Sequence, residues 1–298
     1  MATGGNLPKH LEVAARTGVL GARARDDMPY RQVAQEVDLT AKSTTFVDLG
    51  GMPQPSRNAR EVNTLIEKGK NVEPADWYIT LDLSQNAIDD DQTGELRTRF
   101  MNVLPAFQRH INSQVFTYLN AGDGVTLGTC LTGGALFANS QIYKGGKNTT
   151  AQDNLQGNTL SLDAFNTAWV AARQFKDDAE NFYNFDFNLL VTSIALNQVA
   201  ANITGNPAAY DTANREVNPY AGTLRLAVPE FDTTAWVLIA GSAPEAPKPL
   251  FVAIRKRPEL LDIKYDPQAG DGGKWYFIYH GRYVIDYGDP LTAIMGNS

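Results

Sequence analysis

Three consecutive aspartates, Asp89, Asp90 and Asp91, stand between the alternating stretch WYITLDLS and a long apolar-periodic one. Carboxylates in such a place have two common uses. In a calcium loop, Asp89, Asp91 and Thr93 would fill positions 1, 3 and 5, with Gly94 at position 6. The bidentate glutamate that such a loop requires at position 12 is Phe100 here. At a helix start, aspartates cap free backbone amides and complement the positive end of the dipole, contributing about 0.3–1 kcal/mol each. The spacing favours the second use, a joint between two elements.

No other motif anchors a catalytic reading. The three histidines, His10, His110 and His280, form no HExxH and no pair at ligand spacing. His110 borders an apolar stripe and reads as a packed or interfacial side chain. No serine occupies a GxSxG elbow. Cys130 lies between glycine-rich turns with nothing beside it to activate the thiol. GGKNTT at 145–150 departs from a phosphate loop, with Gln141 at the first glycine position and Asn148 at the Ser/Thr position. Arg255, Lys256 and Arg257 read as a solvated strand end, and Asp177 with Asp178 as carboxylates on a helix surface. No cofactor and no metal is expected.

The chain of 298 residues has room for one large domain or two ordinary ones, and it can bury a core. With 43% hydrophobic and 20% charged residues it has the composition of a globular protein. No apolar run suits a membrane span, and MATGGNLPKHLEVAAR lacks the apolar core of a signal peptide, so folding in the cytoplasm is expected. One cysteine excludes an internal disulfide framework. A net charge of -7 argues against a protein that coats nucleic acid. The charge is unevenly spread. Arg57, Arg60, Lys68 and Lys70 dominate 57–70, whereas 76–95 carries Asp76, Asp82, Asp89, Asp90, Asp91 and Glu95 with no basic residue.

The elements that must position these residues follow from periodicity. Residues 1–42 read as an arm with a short helix around Leu11–Val19. Trp77, Ile79, Leu81 and Leu83 alternate with Tyr78, Thr80 and Asp82 as a half-buried strand. Between TTFVDLG and that strand lies a long irregular excursion, of the kind used to reach a partner. From 91 to 119, Leu96, Phe100, Val103, Leu104, Phe107, Ile111, Val115 and Leu119 make one helical stripe, with a bend expected at Pro105 and a stop at Asn120–Gly124. Ser161 is the expected cap of a second helix through Phe165 and Trp169. NFDFNLLVTS, TLRLAVPE, WVLIAGS, PLFVAIRKR and KWYFIYHGRYVIDYG read as strands, and ALNQVAANIT as a short helix. This irregular mixture predicts an α+β fold.

Five segments, in order, resemble the Mu-like phage major head subunit family, major capsid proteins with the HK97-type fold. They are DLGGMPQPSRNAREVNTL (48–65), AIDDDQTGEL (87–96), GGALFANS (133–140) with NLQGNTLSLDAFNTAW (154–169), NLLVTSIALNQVA (188–200) and GRYVIDYGDPLTAI (281–294). The likeness spans about Pro29 to Ile294. It departs from the family at Ser56–Asn58, where a tryptophan is usual, at Leu131–Gly133, and at Gln141, which stands for a common histidine.

The resemblance implies an HK97-like subunit with an N-arm at 1–42 and an extended E-loop at 43–84. A peripheral domain would take 85–154, with its spine helix at 91–119, and 246–298; an axial domain would take 155–245. It implies a structural head protein, not an enzyme, that assembles with itself into hexamers and pentamers of an icosahedral shell in the host cytoplasm. Scaffolding protein, portal and possibly a decoration protein would be partners. Double-stranded DNA would be enclosed without sequence-specific binding, and no membrane is involved. Arg57, Arg60, Lys68 and Lys70 of one subunit are expected to lie over an acidic strip of the next in the 76–95 region, with Asp89, Asp90 and Asp91 among the contacts. Two alternatives stay open: an encapsulin-like compartment shell, and a metal-dependent enzyme using Asp89–Asp91.

Overall fold

The computed structural model describes residues 9, 12–13, 15–16, 28–40, 44–45, 71–90, 99–142, 148–177, 180–205, 218–232, 234–241, 248–270 and 272–297. Helix α1 (Tyr30–Val33) leads into β1 (Ala34–Asp38), and β2 (Thr44–Thr45) pairs with β3 (Asn71–Val72). Strand β4 (Ala75–Ser84), the short helix α2 (Gln85–Asp89) and the long helix α3 (Val103–Asn120) follow. Next come β5 (Leu155–Gln156), α4 (Leu162–Arg173), β6 (Phe187–Ser193), α5 (Asn197–Gly205), β7 (Leu224–Val228) and β8 (Trp236–Ala240). The chain closes with β9 (Leu250–Asp266), β10 (Lys274–Tyr287), a 3-10 turn and β11 (Ala293–Gly296).

Two sheets carry the fold. The four-stranded sheet has the order β1-β9-β10-β4, and only β1 runs parallel to its neighbour. The five-stranded sheet has the order β5-β11-β8-β6-β7. Helix α3 lays Phe107, Ile111, Val115 and Leu119 on Phe277, Tyr283, Ile285 and Tyr287, and this core continues onto Leu189, Val191, Val237 and Ile239 of the second sheet. The opposite face of that sheet, with Leu190, Trp236 and Leu238, is covered by Phe165 and Ala168 of α4 and Ile203 of α5. Strands β6 and β8 are therefore buried on both faces, which explains the continuous apolar runs Leu189–Val191 and Trp236–Ala240. Each large side chain so buried contributes about 1.5–3 kcal/mol.

Close packing dictates two glycines. A Cβ on Gly296 in β11 would sit 2.2 Å from the indole of Trp236, and one on Gly122 would sit 2.8 Å from the ring of Phe137. Only hydrogen fits at either place.

Several expectations hold. Strand β4 alternates as read, and Ser161 caps α4 by accepting from Ala164 N at 3.1 Å. Others need correction. Asp89 and Asp90 do not start the long helix; they close α2, whose cap is Ser84, and Asp89 accepts from Gln85 Nε2 at 2.9 Å. The helical run is interrupted at Asn102 rather than after Leu104: residues 99–101 are helical and α3 begins at Val103, so Pro105 falls in its first turn, where the missing N–H costs nothing. Arg255, Lys256 and Arg257 lie inside β9 rather than at its end. The strand tolerates Pro258 because a bulge there sets two residues against Gly281, beyond the stretch paired with β1. Asp177 is not on a helix surface: α4 has ended at Arg173, and its carboxylate receives Asn181 N at 2.8 Å.

Candidate assembly surface

The strongest concentration of polar chemistry holds the arm to the four-stranded sheet. Residues 34–38 pair with 250–254 in parallel register, and the short α1 in front of them leaves its terminal backbone groups open. The buried Lys248 closes one end, donating from Nζ to Arg31 O at 2.9 Å and Gln32 O at 2.8 Å. Burial lowers its pKa below the usual lysine range, because the charged form loses hydration there. Asn112 of α3 closes the other end, its Oδ1 accepting from Tyr30 N at 3.1 Å. Arg255 then donates to the carbonyls of Leu39 (3.0 Å) and Thr40 as the arm leaves the sheet.

Glu36 is the charged hub of this clasp. It accepts from the Tyr30 hydroxyl at 2.6 Å and faces Arg31 at 3.2 Å and Arg257 at 3.7 Å; Arg257 also reaches Asp38 at 3.0 Å. Burial, then the adjoining Glu36 charge, push the Tyr30 hydroxyl up to about 12, against the opposing pull of Arg31. Between α1, α3 and β9 a cavity of about 330 Å³ opens beside this hub.

The two described histidines serve packing. His110 Nδ1 lies 2.8 Å from the Tyr283 hydroxyl, and its ring lies 4.4 Å from that of Trp77, joining α3 to β10 and β4. Burial lowers its pKa. His280 Nε2 lies 2.8 Å from Asp76 Oδ1, with its ring stacked on Tyr78 at 4.7 Å. Cys130 is buried, with its sulfur 2.9 Å from Thr132 Oγ1 and donating to Ala135 O at 3.2 Å. The buried Asn154 ties the 136–138 turn to the closing segment, receiving Ala138 N and donating to Leu136 O and Pro290 O.

Of the seven residues expected at assembly contacts, Asp89 and Asp90 are exposed at the end of α2. Arg57, Arg60, Lys68, Lys70 and Asp91 lie outside the described residues, as does His10. The acidic strip is partly engaged within the subunit: Asp76 faces His280 and Arg282, and Asp82 faces Lys274 at 3.1 Å. Among the described residues, no group of three or more His, Cys, Asp or Glu could hold a metal ion. Sequence reading missed the clasp. Its signal was RKR beyond an apolar strand start, with a single lysine just before it.

Known proteins place this architecture. The phage capsid protein family matches residues 69–295. A phage-related protein of Bordetella bronchiseptica RB50 has a similar structure, with a TM-score of 0.56 and 12% identity over 96% of each chain. The capsid of a native GTA particle is similar with a TM-score of 0.53 and 15% identity, over 92% of this chain and 90% of that one. The procapsid of bacteriophage JBD30 gives 0.51 and 16%, over 97% of this chain and 74% of that one. No curated protein matches. At these identities the structural likeness speaks for the fold alone, the α+β HK97-like fold of phage capsids. With the family covering most of its length, this chain belongs to the phage capsid protein family.

Proposed function

We propose that this capsid protein is the major head subunit of a tailed phage of the Mu-like group, building hexamers and pentamers of an icosahedral shell. The observation that carries this reading is the family match across 69–295, which takes in the five-stranded sheet, the long helix and β4, β9 and β10 of the four-stranded sheet. In this reading residues 1–42 are the N-arm and 43–84 the E-loop, whose return limb is β4. Residues 85–154 and 246–298 make the peripheral domain and 155–245 the axial domain, with β11 carrying the closing chain into the axial sheet. The role is structural, with no catalytic step and no cofactor. Scaffolding protein, portal and, in phages that carry one, a decoration protein are the partners, assembly takes place in the host cytoplasm, and double-stranded DNA is enclosed without sequence readout.

The E-loop cations Arg57, Arg60, Lys68 and Lys70 fit a neighbour's acidic junction. Because Asp76 already faces Arg282 and Asp82 faces Lys274, the docking charge narrows to Asp89, Asp90 and Asp91. Such exposed pairs supply about 0–1 kcal/mol each, enough to fix register rather than to hold the shell.

Negative-stain electron microscopy with light scattering on the purified chain tests the reading. Closed shells, tubes or hexamer sheets are expected, and the double variant Arg57→Glu/Arg60→Glu should assemble poorly while staying folded. A monomer that never assembles, even with the phage's scaffolding protein, would sink it.

A further inference from the structure

We propose that the cavity between α1, α3 and β9 is a socket for the turn Gly122–Gly128 of a second copy of this chain, an inference that rests on the assembly reading above. The floor of the cavity is apolar, built from Leu104, Phe107 and Ile254, and its rim carries Arg31, Glu36 and Arg257. The cavity of about 330 Å³ has room for two aliphatic side chains.

The turn after α3 has the complementary chemistry. Val125 is 59% exposed and Leu127 36%, and among the described residues no other turn shows two exposed large apolar side chains two positions apart. Asp123, also exposed, stands beside them with a carboxylate that the half-exposed Arg257 can take in addition to Asp38 at 3.0 Å and the more distant Glu36 at 3.7 Å. The turn is a fixed knob. Gly124 N donates to Ala121 O at 3.1 Å, Gly128 N to Val125 O at 3.3 Å and Phe137 N to Gly122 O at 2.8 Å, and the ring of Phe137 packs against Gly122.

A chain cannot fill its own socket in this way. Leu104 lies in the first turn of α3 and the knob lies beyond its last, about 25 Å away along a rigid rod at 1.5 Å per residue. Socket and knob at opposite ends of one helix make a head-to-tail contact. Such a contact is heterologous, so it repeats from copy to copy rather than stopping at a dimer, and it closes into rings where the rotation between copies permits. Rings are what hexamers and pentamers require.

Engineered cysteines test this cleanly, because the natural Cys130 is buried. On oxidation of assembled protein, a chain carrying both Leu104→Cys and Val125→Cys should give a ladder of linked copies. An equimolar mixture of the two single variants should give linked pairs, and either single variant alone should give none. Separately, Val125→Asp/Leu127→Asp should keep wild-type circular dichroism and melting temperature, since both side chains are exposed, yet lose at least tenfold in assembled mass. Wild-type shells together with equally good shells from the Asp variant, and no ladder, would overturn the socket while leaving the assembly reading standing. Linkage of Leu104→Cys to Lys68→Cys instead would give the socket to the E-loop and overturn the proposal. If the wild-type chain forms no particles even with the phage's scaffolding protein, the assembly reading and this one fall together.

Discussion

The two sheets are held by different physics. In the five-stranded sheet, β6 and β8 have apolar side chains on both faces, Trp236 is fully enclosed and Gly296 is fitted to its indole. At the arm-bearing edge of the four-stranded sheet, the five-residue ladder of β1 on β9 is flanked by side chains that reach backbone, Lys248 and Asn112 before it and Arg255 after it. Apolar interdigitation is strong and insensitive to solution conditions. Charge-assisted clasps respond to pH and salt. The chain thus places its adjustable contacts where the arm meets the body.

Three variants sharpen this contrast. Trp236→Ala should have the largest effect, destabilising by about 4 kcal/mol through cavity formation and loss of apolar burial. Its loss in urea unfolding should be the same in low and high salt. A smaller loss that depends on salt would break the contrast on the apolar side.

Lys248→Met should cost less, about 1 kcal/mol near neutral pH, since it leaves two carbonyls of α1 without their donor. Its pH dependence has a definite sign. Burial lowers the lysine pKa in the folded chain, so between that value and the ordinary one the unfolded chain binds more protons and stability rises with pH. Wild type should therefore gain on Lys248→Met as pH climbs toward the ordinary lysine pKa. Comparing the two chains at each pH cancels the opposite trend from Tyr279, Tyr283 and Tyr287, whose pKa values burial raises. A pH-independent difference would remove the charge from the explanation.

Arg257→Ala should have the smallest effect, about 0.5 kcal/mol, because its pair with Asp38 is largely exposed. Hydrogen exchange at the β1 amides should speed up in low salt and converge with wild type in high salt. Equal exchange in both salts would show that the clasp rests on Lys248 and Arg255 alone.

The contrast also explains what could be read from sequence. Periodic apolar patterns are local, so β4, the doubly buried β6 and β8 and the Ser161 cap were legible. The clasp was not, because Lys248 meets Arg31 and Gln32 across more than two hundred residues of chain. RKR was read as a solvated strand end, yet β9 runs on through Pro258; the bulge opposite Gly281 that accommodates the proline is a tertiary fact. Of the aspartate triplet, Asp89 and Asp90 close the short helix after β4 rather than open the long one, and Asp91 lies outside the described residues. Ser84 followed by Gln-Asn-Ala was the overlooked capping signal. For the expected loop cations at Arg57, Arg60, Lys68 and Lys70, the chain offered charge and nothing that fixed geometry.

The parallel register of β1 on β9 has a mechanical consequence. Tension directed along the strands loads all five residue pairs from Ala34–Leu250 to Asp38–Ile254 at once, with the Arg255 contacts at the end of the row. Tension directed across them loads one pair at a time, starting from whichever end is pulled. An arm attached this way resists sliding and yields to peeling, so the direction from which a neighbour tugs, more than the force it applies, decides whether the arm stays seated.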